Sequence, residues 1–314
     1  MVHLILTGGT GLVGSAVLSH ILSLPGGLVG TSSMLSTKSG TPQTISKVTI
    51  LTRSPNIPLL SSTPPPGTPH ANTATKIEVV THKDFSQYDG EVLAKLRGAD
   101  ACIWALGVSQ NDVDEAAYVA ITKDYALAAA KAFSSLRGAD TDSDTSSSAG
   151  SREMKKLAAG ASAAAQDYSR KFKFIYISGE GATQTPKWYT PLFGRVKGLT
   201  EQALISLSQQ PAFSKTLAVY STRPGGVDAL KQPWIWNTVM GEKRTAFQRA
   251  YMRLLLPPIA LLWPGGHSPT AELGKALVEL AVDGSRDAFD IKEAGVSGEG
   301  WILGNVVLRR LAGL

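Results

Sequence analysis

The sequence predicts an α/β fold, a parallel doubly wound sheet followed by a mostly helical C-terminal extension. Three observations carry this expectation. The apolar run Val2-His3-Leu4-Ile5-Leu6-Thr7 has strand length, breaks into glycines at 8, 9, 11 and 14, and passes into the helical pattern Ser15-Ala16-Val17-Leu18. Further on, β-branched runs alternate with helical stretches, which implies parallel strands joined by right-handed crossovers. Composition agrees: 314 residues at 43% hydrophobic and 18% charged can bury one large core.

Taken in order, the first helix is predicted over 12–24, ended by Pro25-Gly26-Gly27. Residues 28–46, rich in Ser, Thr and Gly, read as an exposed insertion, and 47–53 as the second strand. Residues 54–75 contain Pro64-Pro65-Pro66-Gly67, lack a hydrophobic period and read as a mobile loop. A third strand follows at 76–80, a short helix at 91–96 and a fourth strand at 99–106. A long helix is expected over 114–133. Residues 134–166 are Ser/Asp-rich and then Ala-rich, a disordered insertion by composition. The fifth strand is placed at 172–178, a helix at 192–207 and the sixth strand at 216–224. Beyond Gly226 helices are expected near 243–255 and 271–282. The chain thus divides into a dinucleotide-binding region, 1–228, and a C-terminal substrate-side region, 229–314, within one compact unit.

Composition also excludes. The formal charge of +6 is modest and its Lys and Arg residues are scattered, which argues against nucleic acid as a partner. One cysteine, Cys102, rules out an internal disulfide, fits a reducing compartment and sits in an apolar run as a buried structural thiol. The five histidines show no metal-ligand spacing, so no metal is expected. With no secretory pattern and no apolar run near the roughly 18 residues of a membrane span, a cytoplasmic protein is the expectation.

The glycine turn has a specific chemistry. Gly8 lets the chain leave the strand sharply, Gly11 keeps side-chain atoms away from a pyrophosphate, and Gly14 lets the helix pack closely on the sheet. The helix N-terminus then offers free N–H groups and a positive dipole end to phosphate. Thr7, Gly8, Gly9, Thr10, Gly11, Leu12, Val13 and Gly14 are therefore candidate cofactor-binding residues of a Rossmann-type fold. The second strand ends Leu51-Thr52-Arg53-Ser54, with no acid to receive a ribose 2′-hydroxyl. Arg53 instead offers a planar fork to a 2′-phosphate, so NADP(H) is the expected cofactor.

The spacing G-x-x-G-x-x-G after Thr7 resembles the extended and atypical branches of the short-chain dehydrogenase/reductase (SDR) superfamily. Ala105-Leu106-Gly107, the stretch from Tyr118 to Tyr125, Ile177-Ser178-Gly179-Glu180-Gly181-Ala182, Val196-Lys197-Gly198 and Thr222-Arg223-Pro224-Gly225 narrow it. Together with Arg53 they resemble the atypical SDRs related to Tat-interacting protein 2, over most of residues 1–228. The resemblance implies that Asp84-Phe85 contacts adenine, that Ala105, Leu106 and Gly107 lie beside the nicotinamide ribose, and that Pro224 and Lys197 complete the cofactor site. It also implies catalysis by a Ser, a Tyr and a Lys four residues after the Tyr. Lys197 stands at the Lys position, but Phe193 occupies the Tyr position and has no proton to give. Ser178 stands at the Ser position, in a pair that reads Ser178-Gly179. Tyr189, in the loop before Pro191, is the nearest substitute phenol, as proton donor or as an aromatic pocket wall with Trp188.

Three functions follow as expectations. The first is an NADPH-dependent oxidoreductase acting on a small organic carbonyl, enone or imine with a non-standard proton donor. The alternatives are a cofactor-binding regulatory module and a non-redox isomerase or cyclase in the old pocket. The partner is a small-molecule substrate, and a homodimer is left open. The apolar stretch from Leu254 to Trp263 could touch a membrane surface or a partner, but a pocket lid or core is the expectation. Asp228, Trp234 and Trp236 are candidates for lining the substrate crevice.

Overall fold

The computed structural model describes residues 1–29, 43–137, 171–240, 254, 264–283, 294–298 and 301–314. The chain opens with β1 (Val2–Thr7), α1 (Leu12–Ser23), β2 (Leu28–Val29), β3 (Gln43–Thr52), α2 (Pro58–Ser61), β4 (Lys76–Thr81), α3 (Gly90–Leu96) and β5 (Ala101–Trp104). Next come α4 (Glu115–Val119) and α5 (Tyr125–Phe133), joined by a π-helical turn, Ala120–Asp124. They are followed by β6 (Phe172–Ile177), α6 (Leu192–Gln209), β7 (Leu217–Arg223) and β8 (Gly226–Asp228). The remaining described elements are α7 (Pro233–Ile235), β9 (His267–Pro269), α8 (Thr270–Asp283), β10 (Val296–Ser297), β11 (Ile302–Gly304) and α9 (Asn305–Ala312).

Seven strands pair in parallel in the order β4-β3-β1-β5-β6-β7-β11, and the short β2 and β10 add antiparallel edges. This is the Rossmann-type doubly wound sheet the sequence predicts. All six residues of β1 are buried, as expected of a central parallel strand covered on both faces. Alternation sorts its side chains: Leu4 and Leu6 join the core beneath α1, α8 and α9, whereas Ile5 joins the core beneath α3, α5 and α6. Helices α1 and α8 cross closely because residue 274 is glycine; a Cβ there would lie 2.3 Å from the Ala16 carbonyl oxygen. The strand order reverses at β1, and the crevice outside the carboxyl ends of β1 and β5 is where such sheets bind ligands.

Several expectations are corrected. The described C-terminal region is mostly helical, as expected, but it also adds β9 and β10, and β11 is a seventh parallel strand, with Leu303 fully buried. The proline-bearing loop after β3 packs rather than floats. Ile57 and Leu59 are buried, and Asn72 donates to the Ile21 carbonyl and to the Thr75 hydroxyl, both at 2.8 Å. The exposed insertion at 28–46 is shorter than expected, since β3 starts at Gln43 and Ile45 is fully buried; residues 30–42 lie outside the described residues. Most of the 134–166 insertion, the 243–255 helix save Leu254, and the Leu254–Trp263 stretch beyond that residue also lie outside them. Cys102 is fully buried and its thiol is held well above its ordinary pKa by burial. Among the described residues no helix is long and apolar enough to cross a membrane, and no cluster suits a metal ion.

Candidate active site

The glycine turn joins three elements without side chains between them. Gly8 has φ of +68°, and a Cβ there would lie 2.2 Å from the Ala105 carbonyl oxygen; at Gly14 it would lie 2.1 Å from the Gly8 carbonyl oxygen. Thr7, fully buried, accepts the Leu106 N–H at 3.2 Å, and the Gly11 N–H donates to the Gly8 carbonyl at 2.9 Å. The end of β1, the start of α1 and the segment after β5 are thereby fixed against one another. Helix α1 begins at Leu12 with no side-chain cap and no acid in its first turn. An uncapped terminus behind the side-chain-free Gly11 fits the pyrophosphate of a dinucleotide. Thr10, Leu12 and Val13 complete this turn, with Gly9 beneath it, where a Cβ would come within 3.0 Å of the Ile50 side chain.

Arg53 stands exposed just past β3, and its guanidinium makes no hydrogen bond or ion pair with a described residue. The turn that presents it is closed by Thr52, whose hydroxyl donates to the Ser54 carbonyl at 3.0 Å. Asp84 is exposed, but Ser86 already donates to its carboxylate from hydroxyl and backbone, which lowers its pKa. Phe85 is a core residue: its ring is fully buried against His82 and Trp104, so only its backbone can serve a ligand. Ala105 and Leu106 are half-buried and Gly107 is exposed, at the mouth of the crevice.

Ser178 and Lys197 come together at the carboxyl end of β6. The Lys197 ammonium donates to the Ser178 carbonyl at 2.6 Å and to the Ile177 carbonyl at 3.3 Å. Burial lowers its pKa to about 8, opposed by the Glu201 carboxylate one turn further along α6. The Ser178 hydroxyl is buried with no hydrogen-bond partner. A buried orphan hydroxyl costs about 1–3 kcal/mol, and this one belongs to the residue whose backbone carbonyl the Lys197 ammonium holds. Phe193 lies one turn before Lys197, its ring against Gly181, where a Cβ would sit 3.3 Å from the Phe193 Cζ. Pro224 borders the same strand ends, its carbonyl accepting the Glu180 N–H at 2.9 Å.

Tyr189 does not join this group. It is 61% exposed, on the outside of a turn closed by the Lys187 N–H to the Thr190 hydroxyl at 2.8 Å. Its ring meets Trp188 edge-on and the Lys187 ammonium, and its hydroxyl makes no bond to Ser178 or Lys197. Asp228, Trp234 and Trp236 do not join this group either. Asp228 is buried against His267 at 3.0 Å, and both tryptophans pack into the core beneath α1.

The sequence reading missed what fixes α6 against the strand ends and loops around it. Fully buried Glu201 accepts the Ser221 hydroxyl at 2.9 Å and binds the Arg223 guanidinium through both carboxylate oxygens. Gly194 and Gly198 let the segment after β6 lie directly on α6, since a Cβ at Gly198 would sit 1.8 Å from the Thr183 carbonyl oxygen. Gln110 accepts the Phe193 N–H at 2.9 Å, and Glu115 pairs with Arg195, so the loop after β5 is tied to the start of α6. The signals were the spacings Lys197-x-x-x-Glu201 and Gly194-x-x-x-Gly198, both of one helical turn.

The fold and the glycine turn define a chain with the architecture of the short-chain dehydrogenases/reductases. Among solved structures it is similar to a short-chain type dehydrogenase/reductase from Mycobacterium ulcerans, with TM-score 0.51, 14% identity, and 90% of this chain and 82% of that one covered. A Pseudomonas aeruginosa RhlG/NADP active-site complex gives TM-score 0.53 at 13% identity over 92% of this chain and 91% of that one. L-sorbose reductase from Gluconobacter frateurii gives TM-score 0.50 at 14% identity, covering 90% of each chain. At these identities the likeness is one of fold. No family model matches the sequence. Leucinostatins biosynthesis cluster protein T of Purpureocillium lilacinum is 28% identical over 330 residues, 98% of this chain and 94% of that protein. Botcinic acid biosynthesis cluster B protein 16 of Botryotinia fuckeliana is 37% identical over 143 residues, 46% of this chain and 87% of that protein. By this last match the chain belongs to the family of the botcinic acid cluster protein.

Proposed function

We propose that the chain is an NADP(H)-binding oxidoreductase acting on a small organic carbonyl, enone or imine. One observation supports it above the others: the unpartnered Ser178 hydroxyl, on the residue whose backbone carbonyl the Lys197 ammonium holds just past β6. In this reading the turn from Gly8 to Gly14 holds the pyrophosphate, Arg53 the 2′-phosphate and Lys197 the nicotinamide ribose. The bound cofactor supplies hydride. Ser178 donates a hydrogen bond to the acceptor atom of the substrate, and the proton comes from Ser178, water or the substrate itself, since Tyr189 faces solvent. The names of the two relatives, both biosynthesis cluster proteins, support a biosynthetic setting. Phe193 favours one second reading, a protein that binds the cofactor and has lost the redox step.

Calorimetric titration with NADPH, followed by turnover on a panel of ketones, enones and imines, separates these readings. Turnover on enones or imines with ketones poorly reduced supports the first; tight binding without turnover on any class supports the second. Phe193→Tyr restores a positioned acid, which typically contributes about 10²–10⁴-fold, and is expected to raise ketone reduction with little change in NADPH affinity. Failure to bind either nicotinamide cofactor refutes both readings.

A further inference from the structure

A cavity of about 360 Å³ opens beside the C-terminal half of α1, away from the glycine turn. That volume lies in the range of small-molecule sites. Leu12 and Ser23 are eleven residues apart on one helix, or about 16 Å, so the cavity and the pyrophosphate turn sit toward opposite ends of α1. Five segments build it: α1, the packed loop between α2 and β4, the turn after β8, α7 and the start of α8.

One side of it is apolar. Pro65, Pro66 and Pro69 come from the loop, and Pro233 and Trp234 from α7. The Trp234 indole N–H is spent on the Ser62 hydroxyl at 2.7 Å, which leaves the ring as its contribution to the wall. The polar side chains are Ser19, His20, Ser23, Thr68, Lys231 and Gln232, and Lys231 carries the charge among them at neutral pH. The Lys231 ammonium and the His20 imidazole both line the cavity, and neither makes a hydrogen bond or ion pair with a described residue. Ser23 has its hydroxyl on the His20 carbonyl at 2.7 Å, and Gln232 reaches Ser19 at 3.4 Å. Among the described residues no carboxylate lines the cavity. We propose that this cavity is a second binding site, for a small amphipathic carboxylate whose apolar body lies against Trp234 and the prolines and whose acid group meets Lys231 and His20.

His20 supports the assignment from another side. Burial and the nearby Lys275 lower its pKa to about 4, so at neutral pH it is an uncharged imidazole in a positive field. A neutral imidazole N–H can donate to a carboxylate, and the charge that favours an acid over a cationic ligand is that of the lining Lys231. The site is independent of the redox reading above.

The test uses the full chain, 3-phenylpropionate as probe and 3-phenylpropionamide as its uncharged counterpart, read by calorimetry and Trp fluorescence. Saturable binding of the acid is expected, with the amide weaker by about tenfold. Lys231→Gln should weaken the acid by a similar factor and leave the amide unchanged. Ala271→Phe, at an exposed lining position, should abolish binding of both while leaving NADPH affinity intact. The proposal is overturned if the acid shows no saturable binding up to about 10 mM, or if the acid and amide bind equally. Displacement of the probe by NADPH, or full binding to the folded Ala271→Phe variant, would also overturn it.

Discussion

Gly198→Ala sets two opposing effects against each other at the position that seats the active-site segment on α6. Inside a helix, alanine is intrinsically better than glycine by about 0.5–1 kcal/mol. Against this, the new Cβ would lie 1.8 Å from the Thr183 carbonyl oxygen, 2.2 Å from its carbon and 2.7 Å from its nitrogen. All three are backbone atoms, so no rotamer change relieves the contact; the segment must lift by more than about 1 Å to reach van der Waals distance. Overpacking of this kind costs about 1–3 kcal/mol and sometimes more, so it outweighs the propensity gain. A net loss of about 1–2 kcal/mol is expected, or about 1.5–3 °C in Tm. Thermal and urea denaturation of Gly198→Ala, beside Ser206→Ala on the exposed face of the same helix, measure it. Ser206→Ala carries the propensity term alone and should be neutral or slightly stabilising. Because the lifted segment leads back to Ser178, NADPH affinity should fall as well. If Gly198→Ala is more stable than the parent, the segment does not lie on α6 as described, and the account of how Ser178 and Lys197 are brought together fails.

Arg53→Ala should cost at least tenfold in affinity for NADPH and little for NADH, the worth of one charge-assisted hydrogen bond at about 1.5–3 kcal/mol; equal losses for both would refute the 2′-phosphate assignment. Glu201→Leu leaves the Arg223 guanidinium half-buried without its bidentate partner and should destabilise by about 3–5 kcal/mol, read by urea denaturation. Stability should fall as pH drops from 6.5 toward 4, because His3 and His20 are held near pKa 4 by burial and the unfolded chain takes up more protons in that window. Glu279 acts the other way: burial raises its pKa to about 7, so its share of stability falls as pH rises from 4.5 to 7. His20→Gln should therefore flatten the acid limb of the stability profile and Glu279→Gln should steepen it, both measured by denaturation at a series of pH values.

What could be read from the sequence depended on whether the signal was local. The glycine turn, the six parallel strands and the position of Lys197 are written in short stretches whose periodicity and turn chemistry act within a few residues. β11 is three residues long and its pairing partner, β7, lies some eighty residues earlier, so no local pattern announces it. The buried loop after β3 was missed for the same reason. The run Ile57-Pro58-Leu59-Leu60 is too short to show a period, and Ile57, Leu59 and Asn72 find partners in or beside the cluster built on α1. Glu201 was legible as a spacing, but that it is buried and paired with Arg223 depends on the neighbouring strand ends of β6 and β7. Tyr189 was drawn toward the site by its distance in sequence from Lys197, and the Lys187–Thr190 turn sends it outward instead.

The late position of β11 also bears on how this chain reaches its folded state. The face of the sheet under α1 is closed by α8 and α9, whose Leu277, Val307, Leu308 and Leu311 belong to the same apolar cluster as Leu4 and Val17. A ribosome adds about 5–20 residues per second. The first helix of this chain therefore emerges some tens of seconds before the segments that cover its side of the sheet can be made. Throughout that interval Leu4, Leu6 and Val17 lie on a surface that is still open to water. The edge of β7 that β11 will occupy is open for the later part of the same interval. Such a surface and such an edge are what chaperones hold and what neighbouring nascent chains pair with. Removing residues 301–314 would turn this passing state into a lasting one. The effect expected is not a milder loss of stability but a protein recovered in the insoluble fraction.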